Sequence, residues 1–168
     1  IDPKNLDPKN LFFTQTDLDL QQAVKFTDNA LHGADDGELY LEYTLSEAFS
    51  FDDNRLKAAS FDTAQGFGLR AVNDEAVGYA HATDLSPAAL KRAADSLAPV
   101  LSGHQGTWAQ SPSVAGSPLY VAENPLDSAS FTDKVALLNE INAYTRACDN
   151  RVRQVSVASV SYTHLRAH

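Results

Sequence analysis

The sequence predicts an α+β protein with a largely antiparallel sheet and helices packed on one face of it. Three observations lead to this prediction. Segments that alternate apolar and polar residues lie close together between residues 38 and 82, separated by short turn signals. One segment of helical periodicity precedes them and two follow. A last alternating segment, residues 151–160, completes the pattern.

The composition is that of an ordinary globular domain and argues against polyanionic partners. The 168 residues are 43% hydrophobic and 21% charged. A formal net charge of −9 repels phosphate groups, so we expect no nucleic acid and no membrane partner. No run approaches the ~20 apolar residues of a membrane helix, and residues 1–10 are too polar for a signal peptide. The single cysteine, Cys148, cannot form an internal disulfide and fits a cytoplasmic location.

The first helix is predicted over residues 17–31. Thr16 is placed to cap it, and Asp17 and Asp19 suit the positive end of a helix. Gly33 is a natural stop. Three apolar positions share one face of this helix: Leu20, Val24 and Leu31.

Strands are predicted next. Residues 38–51 alternate around a polar break, and Asp52-Asp53-Asn54 is a turn signal. The inward positions are Leu39, Leu41, Tyr43, Phe49 and Phe51. Three shorter runs follow, over Arg55–Phe61, residues 66–72 and residues 76–82, with a turn at residues 73–75.

The segment GFGLRAV raises the question of a dinucleotide site. Gly66, Gly68 and Ala71 fit the loose pattern G-x-G-x-x-G/A. That fingerprint needs a helix to begin within the motif, but only Val72 separates Ala71 from the turn at residues 73–75. The segment therefore predicts a strand, whose glycines permit a bulge or the close approach of another backbone.

A second helix is predicted over residues 86–98. Ser86 caps it, Pro87 occupies the first turn and Pro99 ends it. Its apolar face is Leu90, Ala94 and Leu97. Residues 102–118 predict a long loop pinned by Trp108, and residues 119–125 predict a short edge strand.

The third helix is the clearest. Ser130 and Asp133 resemble a capping box. Apolar residues then recur at helical spacing: Phe131, Val135, Leu138, Ile141 and Cys148. In residues 151–160, Val155 and Val157 lie on one face of a predicted strand.

Residues with catalytic chemistry are few and scattered. The histidines are His32, His81, His104, His164 and His168, and no pair forms H-E-x-x-H. His164 and His168 have the i, i+4 spacing of a zinc pair, but no glutamate follows His164, and the spacing is interpreted as chance. Cys148 is predicted to be a small core residue. The acidic pairs at residues 35–36 and 52–53 lack EF-hand spacing and are interpreted as turn residues. The residues by themselves define no catalytic, cofactor-binding or metal site.

Short motifs between Gly33 and Leu97 follow a set order. They are Asp36-Gly37-Glu38-Leu39-Tyr40, Gln65-Gly66-x-Gly68-x-Arg70-Ala71, and Gly78-Tyr79-Ala80 leading to Thr83-Asp84. After these motifs come the segment SPLYVAENPL, the predicted third helix and the predicted last strand. In these motifs and in their order along the chain, residues 17–160 resemble the N-terminal domain of the TldD/PmbA metallopeptidase family.

The resemblance implies a cytoplasmic zinc metallopeptidase that cleaves unfolded or modified peptides as a TldD–TldE type heterodimer. The expected partners are a TldE/PmbA-like paralogous subunit and a peptide substrate. In the family an H-E-x-x-x-H helix and a later cysteine of the C-terminal domain bind zinc, which acidifies a water whose proton the glutamate takes. The string H-E does not occur in this sequence, so no catalytic or metal residue is assigned to it.

Three segments are predicted. Residues 1–16 form a flexible lead-in, residues 17–160 the TldD-like N-terminal α+β domain, and residues 161–168 a tail that looks like a translated sequencing adapter. Because the chain begins with Ile1 and holds no methionine, we expect a fragment. Because it lacks the H-E-x-x-x-H segment, we expect this fragment to be inactive alone. The alternative, a standalone non-catalytic domain that binds peptides or a partner, stays open.

Overall fold

Four strands and three α-helices form the part of the chain that the computed structural model describes, residues 6–101 and 124–167. In chain order the elements are a π-helical turn Asn10–Thr14, α1 Leu20–Ala30, β1 Asp36–Asp52, β2 Arg55–Asn73, β3 Ala76–Ala82, α2 Pro87–Leu101, a 3₁₀ turn Pro125–Ser128, α3 Phe131–Cys148 and β4 Ser156–Ala167. Across the sheet the strand order is β3-β2-β1-β4. The predicted α+β class is confirmed.

The chain divides into two compact units. Unit 1 comprises residues 1–43, 65–123 and 165–168, and unit 2 comprises residues 44–64 and 124–164. The predicted loop at residues 102–118, with Trp108, lies outside the described residues, as does most of the strand predicted at residues 119–125.

The strands are longer than the sequence predicts. β1 continues through the polar break, and β2 joins the two runs that were predicted as separate strands. Ladder hydrogen bonds join backbone groups, so exposed polar side chains do not interrupt them. Asp53 and Asn54 both have positive φ, 46° and 64°, as a two-residue hairpin turn requires.

β3 was predicted correctly, and its pairing with β2 fixes the register of this part of unit 1. The two strands are antiparallel, from Phe67 opposite Ala82 to Asn73 opposite Ala76. The connecting turn places Asp74 at φ 55°. Phe67, Leu69 and Ala71 are buried, which confirms the alternation in this segment.

α1 begins later than predicted. Its N-cap is Asp19, which accepts a hydrogen bond from the Gln22 amide at 3.0 Å. The prediction that Thr16 caps this helix is wrong, because its hydroxyl donates to the Phe12 carbonyl instead. Gly33, at φ 89°, follows the end of the helix as predicted. On the predicted apolar face Leu31 is buried, whereas Leu20 and Val24 are 40% and 53% exposed.

α2 passes the proline that was expected to end it. The Ser86 hydroxyl accepts from the Ala89 amide at 3.2 Å, as predicted for the cap. Pro99 lies inside the helix, which ends at Leu101. A residue of β2 contacts the last turn of this helix: the Asn73 side-chain amide donates a hydrogen bond to the Val100 carbonyl at 3.1 Å.

In unit 2, α3 begins with the predicted capping box between Ser130 and Asp133. Its buried residues are Leu138 and Asn142, and Leu138 packs with Phe49 and Phe51 of β1. The prediction that Cys148 is a core residue is wrong, since the thiol is exposed. Phe131 and Ile141, on the predicted apolar pattern, are 54% and 39% exposed.

β4 begins at Ser156, five residues after the predicted start, and runs to Ala167. Arg151 does not join the strand, because its guanidinium and amide hold the Asp149 carboxylate at 2.6–3.1 Å. Residues 161–167, which the sequence assigned to a tail, are part of β4; that they are not native remains a prediction.

Candidate functional site

Three aromatic side chains lie together on the sheet of unit 1, and we call them the aromatic cluster: Tyr40 on β1, with Tyr79 and His81 on β3. The ring centroids of Tyr40 and Tyr79 are 6.3 Å apart with planes at 16°. Those of Tyr79 and His81 are 5.6 Å apart at 27°. The two tyrosine hydroxyls form a hydrogen bond. Tyr79 is 51% exposed and His81 is exposed, so the cluster presents ring surface to solvent.

Gly68 of β2 makes room for this cluster. A Cβ atom at Gly68 would overlap the ring of Tyr40 and lie 2.6 Å from the hydroxyl oxygen of Tyr79. The two tyrosines therefore meet across β2 only because residue 68 has no side chain. Both tyrosines occur in the motifs that carry the family resemblance, but the sequence assigned neither of them to a site. The two are 39 residues apart, and only the strand pairing joins them.

Gly66 serves a different contact. A Cβ atom there would lie 2.6 Å from the carbonyl oxygen of Ala82 on β3. The predicted close approach of another backbone is thus confirmed at Gly66, whereas at Gly68 the neighbours are side chains. The whole segment 66–72 lies within β2, and no helix begins in it. The prediction that this segment is a strand is confirmed.

The environment of Tyr79 favours its neutral form. The hydrogen bond with Tyr40 is the main cause that raises the pKa of Tyr79 to about 12, with desolvation next and the negative charge of Glu42 acting in the same direction. Tyr79 is therefore a neutral phenol at physiological pH, beside a carboxylate whose field it feels.

Among the described residues, three carboxylates and two guanidiniums border the cluster. Arg70 lies opposite Tyr79 in the β2–β3 register. Its Nη1 is 3.0 Å from the Asp36 carboxylate and 3.8 Å from that of Glu38. The Glu42 carboxylate is 3.7 Å from Nε of Arg166 on β4. The border thus carries a small negative excess.

Unit 1 also contains a groove of about 350 Å³. Its apolar lining includes Pro8, Phe13, Leu20, Val24, Leu39 and Leu41. The polar residues that line it are Lys9, Thr27 and Asp28. This volume is at the lower end for a ligand pocket. Leu20 and Val24 both line this groove, and this explains why their side chains are partly exposed.

Within the acidic pairs, Asp35 lies in a bend and Asp53 in a turn, as predicted, whereas Asp36 and Asp52 are the first and last residues of β1. The Asp35 carboxylate accepts from the Asp74 amide at 2.7 Å in unit 1. In unit 2 the Asp52 carboxylate accepts from Ser156 at 2.7 Å and from Gln154 at 3.0 Å. These two hydrogen bonds hold the pKa of Asp52 below its usual value.

The described residues do not fit a zinc site. Among residues 6–101 and 124–167, no three His, Cys, Asp or Glu side chains come together where they could hold a metal ion. His32 follows α1, His81 lies on β3, and His164 lies on β4 against Tyr162, with ring centroids 6.0 Å apart. His104 and His168 lie outside the described residues. No catalytic step through a metal is derived from this chain.

Comparison with known proteins gives a consistent result. Residues 37–98 match the family described as PmbA/TldA metallopeptidase domain 1. The chain is 31% identical over 154 residues to a protein named metalloprotease TldD homolog from Haemophilus influenzae, with 89% of this chain and 32% of that protein covered. The chain thus spans about a third of the length of this relative.

Two crystal structures share the fold. A protein described as a candidate modulator of DNA gyrase, from Bacteroides thetaiotaomicron, matches with a TM-score of 0.60 at 18% identity, over 88% of this chain and 36% of that one. A similarly described protein from Thermotoga maritima matches with a TM-score of 0.54 at 13% identity, over 86% and 35%. In the part of the chain that the structure describes, no helix is long and apolar enough to cross a membrane.

Proposed function

The chain belongs to the PmbA/TldD metallopeptidase family through its first domain, and from this premise we propose that it is the N-terminal part of a zinc metallopeptidase that cleaves unfolded or modified peptides. The observation that carries the proposal is the family match over residues 37–98 together with the 31% identity to the Haemophilus influenzae relative. In this proposal the chain is non-catalytic by itself, and zinc belongs to a C-terminal domain outside it.

We propose further that the complete protein works in the cytoplasm with a TldE/PmbA-like paralogous subunit. The support for this is the resemblance to the family, which implies a TldD–TldE type heterodimer that encloses its active site. The role of the present domain is then to form part of the shell around the substrate.

The test compares the 168-residue chain with a longer product of the same gene. Long reads across codon 160 of the source DNA establish whether the frame continues into an H-E-x-x-x-H segment. If it does, the longer product is expected to cleave an unfolded protein such as reduced casein, to lose this activity with a chelator and to regain it with zinc. The chain alone is expected to show no cleavage.

Three results would contradict the proposal. The first is a longer product that holds the H-E-x-x-x-H segment and shows no zinc-dependent cleavage. The second is chelator-sensitive cleavage by the 168-residue chain alone. The third is a frame that ends at His168, which would favour the alternative of a standalone non-catalytic domain that binds peptides or a partner.

A further inference from the structure

We propose that the exposed sheet surface around the aromatic cluster binds an extended peptide by holding a lysine or arginine side chain of that peptide against the rings of Tyr79 and Tyr40. The inference rests on the proposed function in that it assumes a protein that handles peptides, and it adds a preferred substrate class, basic peptides.

The geometry of the cluster suits a cation. The faces of tyrosine rings carry negative charge density and attract an ammonium or guanidinium group placed over them. Tyr79 is 51% exposed, and its hydroxyl is fixed by the hydrogen bond with Tyr40. Because Gly68 lies beneath both rings, the two phenols are held together without a side chain from β2 between them.

The charges around the cluster favour the same occupant. Arg70 is engaged with Asp36 and Glu38, so its positive charge is balanced locally. Glu42 acts on the Tyr79 hydroxyl with a negative field, which Arg166, 3.7 Å from the Glu42 carboxylate, reduces without cancelling. The whole chain carries a net charge of −9, which attracts basic peptides and repels nucleic acid.

An apolar neighbour extends the surface along β3. Val77 is 63% exposed and lies two residues before Tyr79, so both side chains lie on one face of the strand. The aliphatic stem of a lysine or arginine packs well on such a surface while its charged end reaches the rings.

The test is equilibrium binding to the full 168-residue chain, followed by fluorescence anisotropy. The probes are two labelled peptides of equal length, one lysine-rich and one with glutamate at the same positions. The lysine peptide is expected to bind, and the glutamate peptide is not. Tyr79→Ala should weaken binding about threefold or more, whereas Tyr79→Phe, which keeps the ring, should stay close to the parent chain.

Tyr144→Ala is the matched control, because Tyr144 of α3 is 74% exposed and belongs to unit 2. Circular dichroism verifies that each variant folds, and this control should bind as the parent does. Equal binding of both peptides, equal weakening by Tyr144→Ala, or loss of binding in Tyr79→Phe would overturn the inference.

Other occupants of the surface are also tested. Displacement of the lysine peptide by a single-stranded oligothymidylate, or a dimer in sedimentation velocity that Tyr79→Ala disperses, would overturn the inference. The binding assay involves no cleavage. If the longer gene product shows no zinc-dependent activity but the lysine peptide still binds as described, the proposed function fails and the binding surface stands.

Discussion

The helices of the two units are held by different kinds of contact. In unit 1, the 15-residue helix α2 buries four apolar side chains: Ala89, Leu90, Ala93 and Leu97. In unit 2, the longer α3, with 18 residues, buries Leu138 and Asn142, one apolar and one polar side chain. Apolar burial thus accounts for the attachment of α2 much better than for that of α3.

Polar contacts supply much of what α3 lacks in apolar burial. Lys134 donates to the Glu47 carboxylate at 2.7 Å and to the Leu126 carbonyl at 2.6 Å, and the side chains of this ion pair are each only 15% exposed. Asn142 donates to Asn54 at the hairpin turn, and Arg146 pairs with Asp53. The difference shows that a helix that buries few apolar side chains can be positioned by the hydrogen bonds and ion pairs of a few polar side chains.

The largest effect is expected from removing apolar volume beneath α2. Leu90→Ala should lower the free energy of unfolding by about 3 kcal/mol, because it leaves a cavity around a side chain that is 1% exposed. Urea unfolding measures the change. Leu137→Ala on α3, at a leucine that is 55% exposed, is the control and should change it by less than about 0.5 kcal/mol. Equal effects would mean that α2 and α3 do not differ as described.

The next effect concerns the ion pair of α3. Lys134→Met should cost about 2 kcal/mol of unfolding free energy, since it leaves the Glu47 carboxylate poorly solvated and unpaired. Adding Glu47→Gln should restore part of the loss. Lys91→Met in α2 breaks a pair with Asp95 whose side chains are 68% and 64% exposed, so it should have almost no effect. A negligible loss in Lys134→Met would refute the polar anchoring of α3.

Two glycine substitutions test the packing of unit 1 at finer scale. Gly66→Ala should destabilise by about 1.5 kcal/mol, because the added Cβ meets the backbone carbonyl of Ala82. Gly68→Ala should cost less, about 1 kcal/mol, because the tyrosine side chains that it meets can rotate away. Thermal unfolding ranks the two variants, and the reverse order would show that the tyrosine pair is the more rigid neighbour.

The smallest effect is a titration. The pKa of Tyr79 is raised to about 12, mainly by the hydrogen bond with Tyr40, so Tyr40→Phe should lower it towards the ordinary value of 10. Because the folded pKa lies above the unfolded one, this contact stabilises the fold below about pH 10 and its contribution is lost as the pH rises towards 12. Ultraviolet absorbance of tyrosinate follows the titration. The difference in absorbance between each chain and its Tyr79→Phe variant isolates the titration of Tyr79. A pKa of Tyr79 that stays at about 12 in Tyr40→Phe would exclude the hydrogen bond as the cause.

Local signals predicted the parts of the fold that depend on neighbouring residues. The capping box of Ser130 and Asp133, the stop at Gly33 and strand β3 all follow from residues within a few positions of each other. The helical spacing of α3 was also correct, but its buried face was not. Cys148 and Ile141 look apolar along the sequence, yet no described element of unit 2 buries them.

The candidate site could not be predicted in the same way. Tyr40 and Tyr79 become neighbours only through the pairing of three strands, and a sequence pattern carries no register between strands. The glycine motif was the available signal. It indicated correctly that something approaches β2 closely, and the structure adds that at Gly68 the approaching groups are the two phenols.

The two glycines of β2 also have a consequence for how its pairing is selected during folding. A slip of β2 by two residues would keep every apolar side chain on its proper face, so the hydrophobic pattern alone does not penalise such a misalignment. It would, however, place Arg70 at the position of Gly68 or, for a slip in the other direction, Ala64 at the position of Gly66. At the first position a Cβ atom collides with the two phenols, and at the second it collides with the Ala82 carbonyl. The two glycines of the motif GFGLRAV thus help to select the native register of β2. They disfavour two-residue slips, which the alternation of apolar and polar side chains does not penalise.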